Sequence, residues 1–122
     1  METTDQSDSL SGTLRELREL TSSSGSPERF GELVRLFLDA LETDLESMRA
    51  ALTECNTREL LEIAHALKGT SSNMGASCLA ISCSKLEKAC GNGELTYLEG
   101  LVHEVEGHAS LVRTIMRREL QS

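Results

Sequence analysis

The sequence predicts an all-α domain: an antiparallel up-down four-helix bundle with a short additional N-terminal helix. Three observations predict it. Apolar residues recur at helical spacing over most of the 122 residues. Only 2% of the residues are aromatic, and Leu and Ala supply most apolar positions, a composition that suits packed helices better than strands. A single proline is present, fewer than sheets and their turns normally use. One domain with one core fits a chain of this length.

Met1–Ser9 is polar, and residues 1–11 are expected to be disordered or frayed, so the domain is expected to span 12–122, with its bundle core at 27–120. Leu10, Leu14, Leu17 and Leu20 predict a short amphipathic helix, from about Gly12 to Leu20, that covers one end of the bundle. A helix this short is stabilised mainly by docking. Thr21–Pro27 reads as a linker ending in a start signal, with Ser26 as N-cap, Pro27 at the first helical position and Glu28 at the positive end of the dipole. Phe30, Leu33, Val34, Phe37, Leu38, Leu41, Leu45, Met48 and Leu52 then hold the helical period to about Thr53. Asn56 and Glu59 form a capping box for a third helix, Thr57 to about Met74, and Gly75 suits a left-handed C-cap. A fourth helix from about Ala76 turns Leu79, Cys83, Leu86 and Cys90 inward and stops at Gly91-Asn92-Gly93. The fifth runs from about Glu94 to Leu120. Gly100 and Gly107 weaken it by roughly 1 kcal/mol each relative to Ala, and close approach of a neighbouring helix is the simplest reason for them. Short connections make the long helices antiparallel neighbours.

The formal charge of -8 disfavours nucleic acid and anionic membrane surfaces as partners. No apolar run approaches the roughly 20 residues needed to span a bilayer, and Met1–Ser9 has neither the basic nor the apolar region of a signal peptide. A cytoplasmic location is expected. The four cysteines, Cys55, Cys78, Cys83 and Cys90, match no C-x-x-C metal or redox spacing. They are expected to act as small buried or half-buried hydrophobes.

The third helix carries the chemistry. His65, Lys68, Gly69 and Ser72 fall at i, i+3, i+4 and i+7 and so share one face. Leu60, Ile63, Ala64, Leu67, Ser71 and Met74 form the opposite, core-facing stripe. His65 should therefore reach solvent. A neutral imidazole nitrogen can attack phosphorus, and Lys68, one turn on, offers a point charge to phosphoryl oxygens. A mid-helix glycine costs about 1 kcal/mol relative to Ala, and Gly69 beside a histidine clears an approach for another protein's active site. The other two histidines behave differently. His103-Glu104-Val105-Glu106-Gly107-His108 superficially suggests a zincin motif, but that motif needs i, i+4 spacing to place both rings on one face. At i+5 the rings diverge, and both are read as structural or surface residues. No metal site is expected.

The run Ala64-His65-Ala66-Leu67-Lys68-Gly69-Thr70-Ser71-Ser72-Asn73-Met74-Gly75-Ala76 resembles the signature of histidine-containing phosphotransfer (HPt) domains, and the helical outline agrees over roughly residues 27 to 120. The resemblance implies a phosphoryl carrier rather than an enzyme. His65 would accept a phosphoryl group from the aspartate of one receiver domain and pass it to the aspartate of another, in a multistep two-component phosphorelay. Lys68 and Gly69 match the family's phosphoryl-neighbouring lysine and access glycine, and Ser72 would add a hydroxyl at the rim. A polar residue on the following helix hydrogen-bonds the ring in such domains, and Glu87 falls at the matching position, where it would orient the tautomer. Leu61, with Lys68, Gly69 and Ser72, would belong to the partner-docking surface. The implied partners are the receiver domains of a hybrid sensor histidine kinase and of a response regulator. The implied state is a monomer with no cofactor of its own, the Mg²⁺ being held by the receiver. The fourth helix has Gly91 where some family members carry a basic residue, leaving Lys85 and Lys88 as the other candidate cations near His65.

Two competing readings are weaker. A histidine-kinase dimerisation segment has an acidic residue after the histidine and a nearby proline; here Ala66 follows, and there is no proline in the region. A helical adaptor, or a degenerate domain that binds receivers without being phosphorylated, would not need the intact His65-Lys68-Gly69 set.

Overall fold

The structure, a computed structural model, describes residues 2–121 and the side chains of residues 9–121. The described residues form five α-helices and one 3-10 turn and contain no strand. They are α1 Glu2–Ser23, α2 Glu28–Thr53, α3 Thr57–Asn73, α4 Ser77–Gly91, the turn Leu95–Tyr97, and α5 Leu98–Leu120. Helix α3 packs on α2 and α4, while α5 packs on α4, α2 and α1. Individual contacts fix the register. Arg49 of α2 reaches Glu106 and Glu99 of α5, and Glu42 reaches Arg113. Lys85 of α4 reaches Glu104 of α5, and Ser82 meets His108. In each pair the contact climbs one helix as it descends the other.

The apolar stripes read from the period meet in one core. Val34, Leu41 and Met48 of α2, Leu60, Ala64 and Leu67 of α3, Leu79, Cys83 and Leu86 of α4, and Val102, Val105, Ala109 and Met116 of α5 are buried together. Leu33, Leu45 and Leu52 of the expected stripe are half-buried. The connections are short and chemically specific. The Glu59 N–H donates to Asn56 Oδ1 at 3.1 Å, and the Asn56 amide donates back to Glu59 Oε2 at 3.1 Å. The return bond uses the side-chain amide because the Asn56 backbone N–H is taken by the Ala51 carbonyl. Gly75 has φ +80°, and a Cβ there would lie 2.8 Å from the Thr13 side chain, so both backbone conformation and space exclude a larger residue.

Several expectations are corrected. Helix α1 is longer than the segment Gly12–Leu20; its backbone is helical from Glu2, so it takes in residues expected to be frayed. Met1 lies outside the described residues. No glycine or proline precedes Gly12, and Leu10 extends the buried stripe to Leu14, so nothing stops the helix where the stretch turns polar. The start of α2 is also different. Pro27 already has helical dihedrals, and Ser26 contributes its carbonyl to the Arg29 N–H rather than a hydroxyl cap. A 3-10 turn precedes α5, which begins at Leu98 instead of Glu94. Gly100 and Gly107 have no atom within 4 Å of the position a Cβ would occupy, so close helix approach does not explain them. Cys55 is exposed and left-handed, with φ 57°, at the end of α2. It fills the position just past the Glu54 C-cap that glycine usually takes, whereas Cys83 and Cys90 are buried and Cys78 half-buried as expected.

Helix α1 docks through both packing and polar contacts. Leu10 and Leu14 are in the core. The Arg18 guanidinium lies over the Phe30 ring, 4.5 Å from its centroid, and donates to the Glu119 carbonyl. Among the described residues no helix is long and apolar enough to cross a membrane. The burial of Leu14 makes α1 part of the cooperative fold. Leu14→Ala is expected to lower the unfolding free energy in a urea titration by about 2–5 kcal/mol, whereas Leu20→Ala on the exposed side should change it by no more than about 0.5 kcal/mol.

Candidate functional site

The site is carried by one face of α3 and one residue of α4. Burial of Leu60, Ala64, Leu67 and Ser71 turns the opposite face of α3 outward. His65 stands on that outward face, with its side chain 66% exposed. On α4, Leu79, Cys83 and Leu86 anchor the helix in the core, and Glu87, next in sequence to Leu86, leans over toward α3. The two helices meet here in matched register: a Cβ on Gly91 would lie 3.8 Å from Leu61, four residues before His65.

Glu87 joins the site together. Its Oε2 lies 2.6 Å from His65 Nδ1, and its Oε1 accepts from Lys68 Nζ at 2.8 Å. The Lys68 ammonium, and after it the His65 ring, hold the Glu87 carboxyl below the usual carboxylate range against the opposing effect of burial. Glu87 therefore contributes stability that is present above the ordinary glutamate range and is lost as acidification protonates the carboxylate. An ionised carboxylate only accepts, so Nδ1 must carry the proton and donate it. That fixes the neutral ring as the Nδ1–H tautomer and leaves the Nε2 lone pair on the solvent side. The bare nitrogen is the only strong nucleophile the face presents.

The remaining expected residues are placed as follows. Gly69 is exposed, with nothing within 4 Å of where its Cβ would be, so the gap beside His65 is open to solvent rather than filled by this chain. Ser72 is exposed on the same helix face, and its hydroxyl makes no hydrogen bond among the described residues. Leu61 is half-buried at the α3–α4 seam. Lys85 does not serve the site; it pairs with Glu104 of α5 at 3.2 Å and is directed away from His65. Lys88 is exposed on α4. The divergence of the other histidines holds. His103 is solvent-exposed, while His108 turns in to meet the buried Ser82 hydroxyl. Among the described residues no group of three or more His, Cys, Asp or Glu side chains is arranged to hold a metal ion.

Sequence reasoning missed the shared use of Glu87. It assigned Glu87 to the histidine and Lys68 to a phosphoryl group, and the pairing of Lys68 with Glu87 was legible only as spacing: His65 and Lys68, at i and i+3, necessarily face the same point on α4.

A family model described as Hpt domain matches residues 32–118. The chain is also similar to the crystal structure of histidine-containing phosphotransfer protein B (HptB) from Pseudomonas aeruginosa PAO1. The two are 33% identical, with a TM-score of 0.80 over 89% of this chain and 90% of that one. No match was found among curated proteins. The matched region contains α3, α4 and all of the residues gathered around Glu87, and the chain belongs to the Hpt domain family.

Proposed function

We propose that the chain is the histidine phosphotransfer component of a multistep two-component phosphorelay, with His65 as the residue that carries the phosphoryl group. The observation that carries the reading is the 2.6 Å contact between His65 Nδ1 and Glu87, beside an exposed ring. Nε2 of His65 attacks the phosphorus of a receiver-domain aspartyl phosphate. The P–Nε2 bond forms, the P–O bond to the aspartate breaks, and the aspartate leaves as a carboxylate. The Nδ1 proton stays in place, so the ring becomes cationic, and the Glu87 carboxylate offsets that charge. The reverse sequence delivers the group to a second receiver aspartate. The partners are the receivers of a hybrid sensor histidine kinase and of a response regulator.

On this reading Lys68 supplies positive charge to the phosphoryl oxygens from one turn above His65. Gly69 admits the receiver's active site, and Leu61 and Ser72 border the docking surface. The receiver brings Mg²⁺ and most of the transition-state electrostatics, so the chain acts as a carrier rather than an enzyme. We read helices α2–α5 as an antiparallel up-down bundle within a working unit that takes in the docked helix α1, Leu10 included. We further propose that the chain acts as a cytoplasmic monomer, since a shuttle is suited to small, transient interfaces.

Incubation with a phosphorylated receiver domain carrying labelled phosphate should label the chain in an acid-labile, base-stable form, and His65→Gln should abolish the label. Persistence of the label in His65→Gln would sink the assignment. The empty space beside Gly69 leads to a second expectation. Gly69→Ala should be tolerated and raise stability by about 1 kcal/mol, whereas Gly69→Leu should keep the helical circular dichroism and slow transfer in a time course. Unchanged kinetics in Gly69→Leu would show that the gap is not an approach path.

A further inference from the structure

A groove of about 260 Å³ runs between α2 and α3, lined among others by Leu36, Phe37, Ala40, Asp44, Leu67 and Thr70. Most of the lining is apolar, and Leu36 at its rim is 69% exposed. Asp44 is its one ionisable residue. That carboxyl group is half-buried and makes no hydrogen bond or ion pair with a described residue. Burial alone raises it above the usual carboxylate range. The nearby Cys83 thiol, pushed up to about 12 by burial and then by Asp44 and Glu87, offers it no compensating charge. Asp44 is thus drawn out of water without a partner, a placement that costs free energy unless something else supplies one.

The groove is continuous with the histidine face. Thr70 and Asn73, which line it, follow His65 by five and eight residues on α3, or roughly 8 and 12 Å along the axis. Exposed Ala66 and Gly69 lie between. Asp44 and Leu67 are the lining residues of α2 and α3 that come nearest in sequence to the turn joining these helices, which places Asp44 toward the His65 end of the groove. From Leu33 to Asp44 the α2 wall runs for about 16 Å, three turns of helix. A cleft of that length between two helices accepts the ridge of a third.

We propose that Asp44 is a partner-selecting residue: it receives a Lys or Arg carried on the apolar side of a receiver-domain helix laid in the α2–α3 groove. The inference rests on the phosphotransfer reading and adds to it a discriminating contact away from the reacting nitrogen. A receiver with the cation pairs a charge that is already partly desolvated. A receiver without it buries that carboxylate completely and unpaired, so the selection works mainly by penalising wrong partners.

The test is phosphoryl transfer from a panel of phosphorylated receiver domains to the wild-type chain, Asp44→Asn and Asp44→Glu, measured against receiver concentration. For the receiver that the wild type uses best, Asp44→Asn should raise KM about tenfold or more, and Asp44→Glu should restore most of the loss. The effect should fall on KM rather than on the rate at saturation, and the Tm of Asp44→Asn should be unchanged or higher. Lys→Ala and Arg→Ala changes on the receiver should include one that costs the wild type but adds nothing to Asp44→Asn. Equal KM values for wild type and Asp44→Asn would overturn the proposal. So would a lowered Tm with no coupling to any receiver cation, or a self-association that Asp44→Asn abolishes, which would place a second copy in the groove. If no receiver phosphorylates the wild type, the phosphotransfer reading fails first and Asp44 loses its role with it.

Discussion

Glu87 is the group on which the site depends. One carboxylate oxygen holds the Nδ1 of His65 and the other holds the ammonium of Lys68. Histidine and lysine come from α3 and the carboxylate from α4, so the arrangement exists only while the two helices keep their register. A one-residue slip turns a helix by about 100° and would carry Glu87 off the seam. The register is set from below by the buried rows Leu60, Ala64 and Leu67 against Leu79, Cys83 and Leu86. It is set from the end by the turn at Gly75, where φ is +80° and Thr13 occupies the space a side chain would need. Through Thr13 the N-terminal helix touches the turn that joins the two site helices.

A nucleophile on a packed helix is positioned with little freedom. On the proposed reading, what this chain contributes is therefore narrow: a ring with its tautomer fixed, an adjacent cation and an open approach. On the proposed phosphotransfer reading, the exposure of the ring and the unfilled space at Gly69 leave the rest of the active site to the receiver domain. Such a surface needs a means of distinguishing partners that is separate from the chemistry, and the unpaired carboxylate of Asp44 in the neighbouring groove is suited to that task.

Much of this was legible in the sequence because helices write their packing as a period. The stripes of α2 to α5, the Asn56 cap and the glycine turn at Gly75 follow from spacing and local chemistry, as does the outward placement of His65. The resemblance to HPt domains supplied Glu87, which periodicity alone does not pick out among the acidic residues. Other features depend on neighbours that a linear reading does not contain. The extent of α1 was missed because a polar stretch without glycine or proline carries no stop signal. By sequence Lys85 is a candidate cation near His65, but its partner Glu104 lies on α5 and draws it away. Cys55 takes a glycine's conformation with no sequence mark of doing so, and nothing in the structure explains Gly100 or Gly107.

The central claim is that Glu87 holds the proton on Nδ1 and so leaves Nε2 as the reactive nitrogen. A long-range proton–nitrogen correlation spectrum of the His65 ring, recorded where the ring is neutral in wild type and in Glu87→Ala, tests it most directly. The wild type should give the Nδ1–H tautomer with an unprotonated Nε2, and the variant should shift toward Nε2–H. A wild-type ring protonated mainly on Nε2, or a tautomer ratio unchanged by Glu87→Ala, would contradict it.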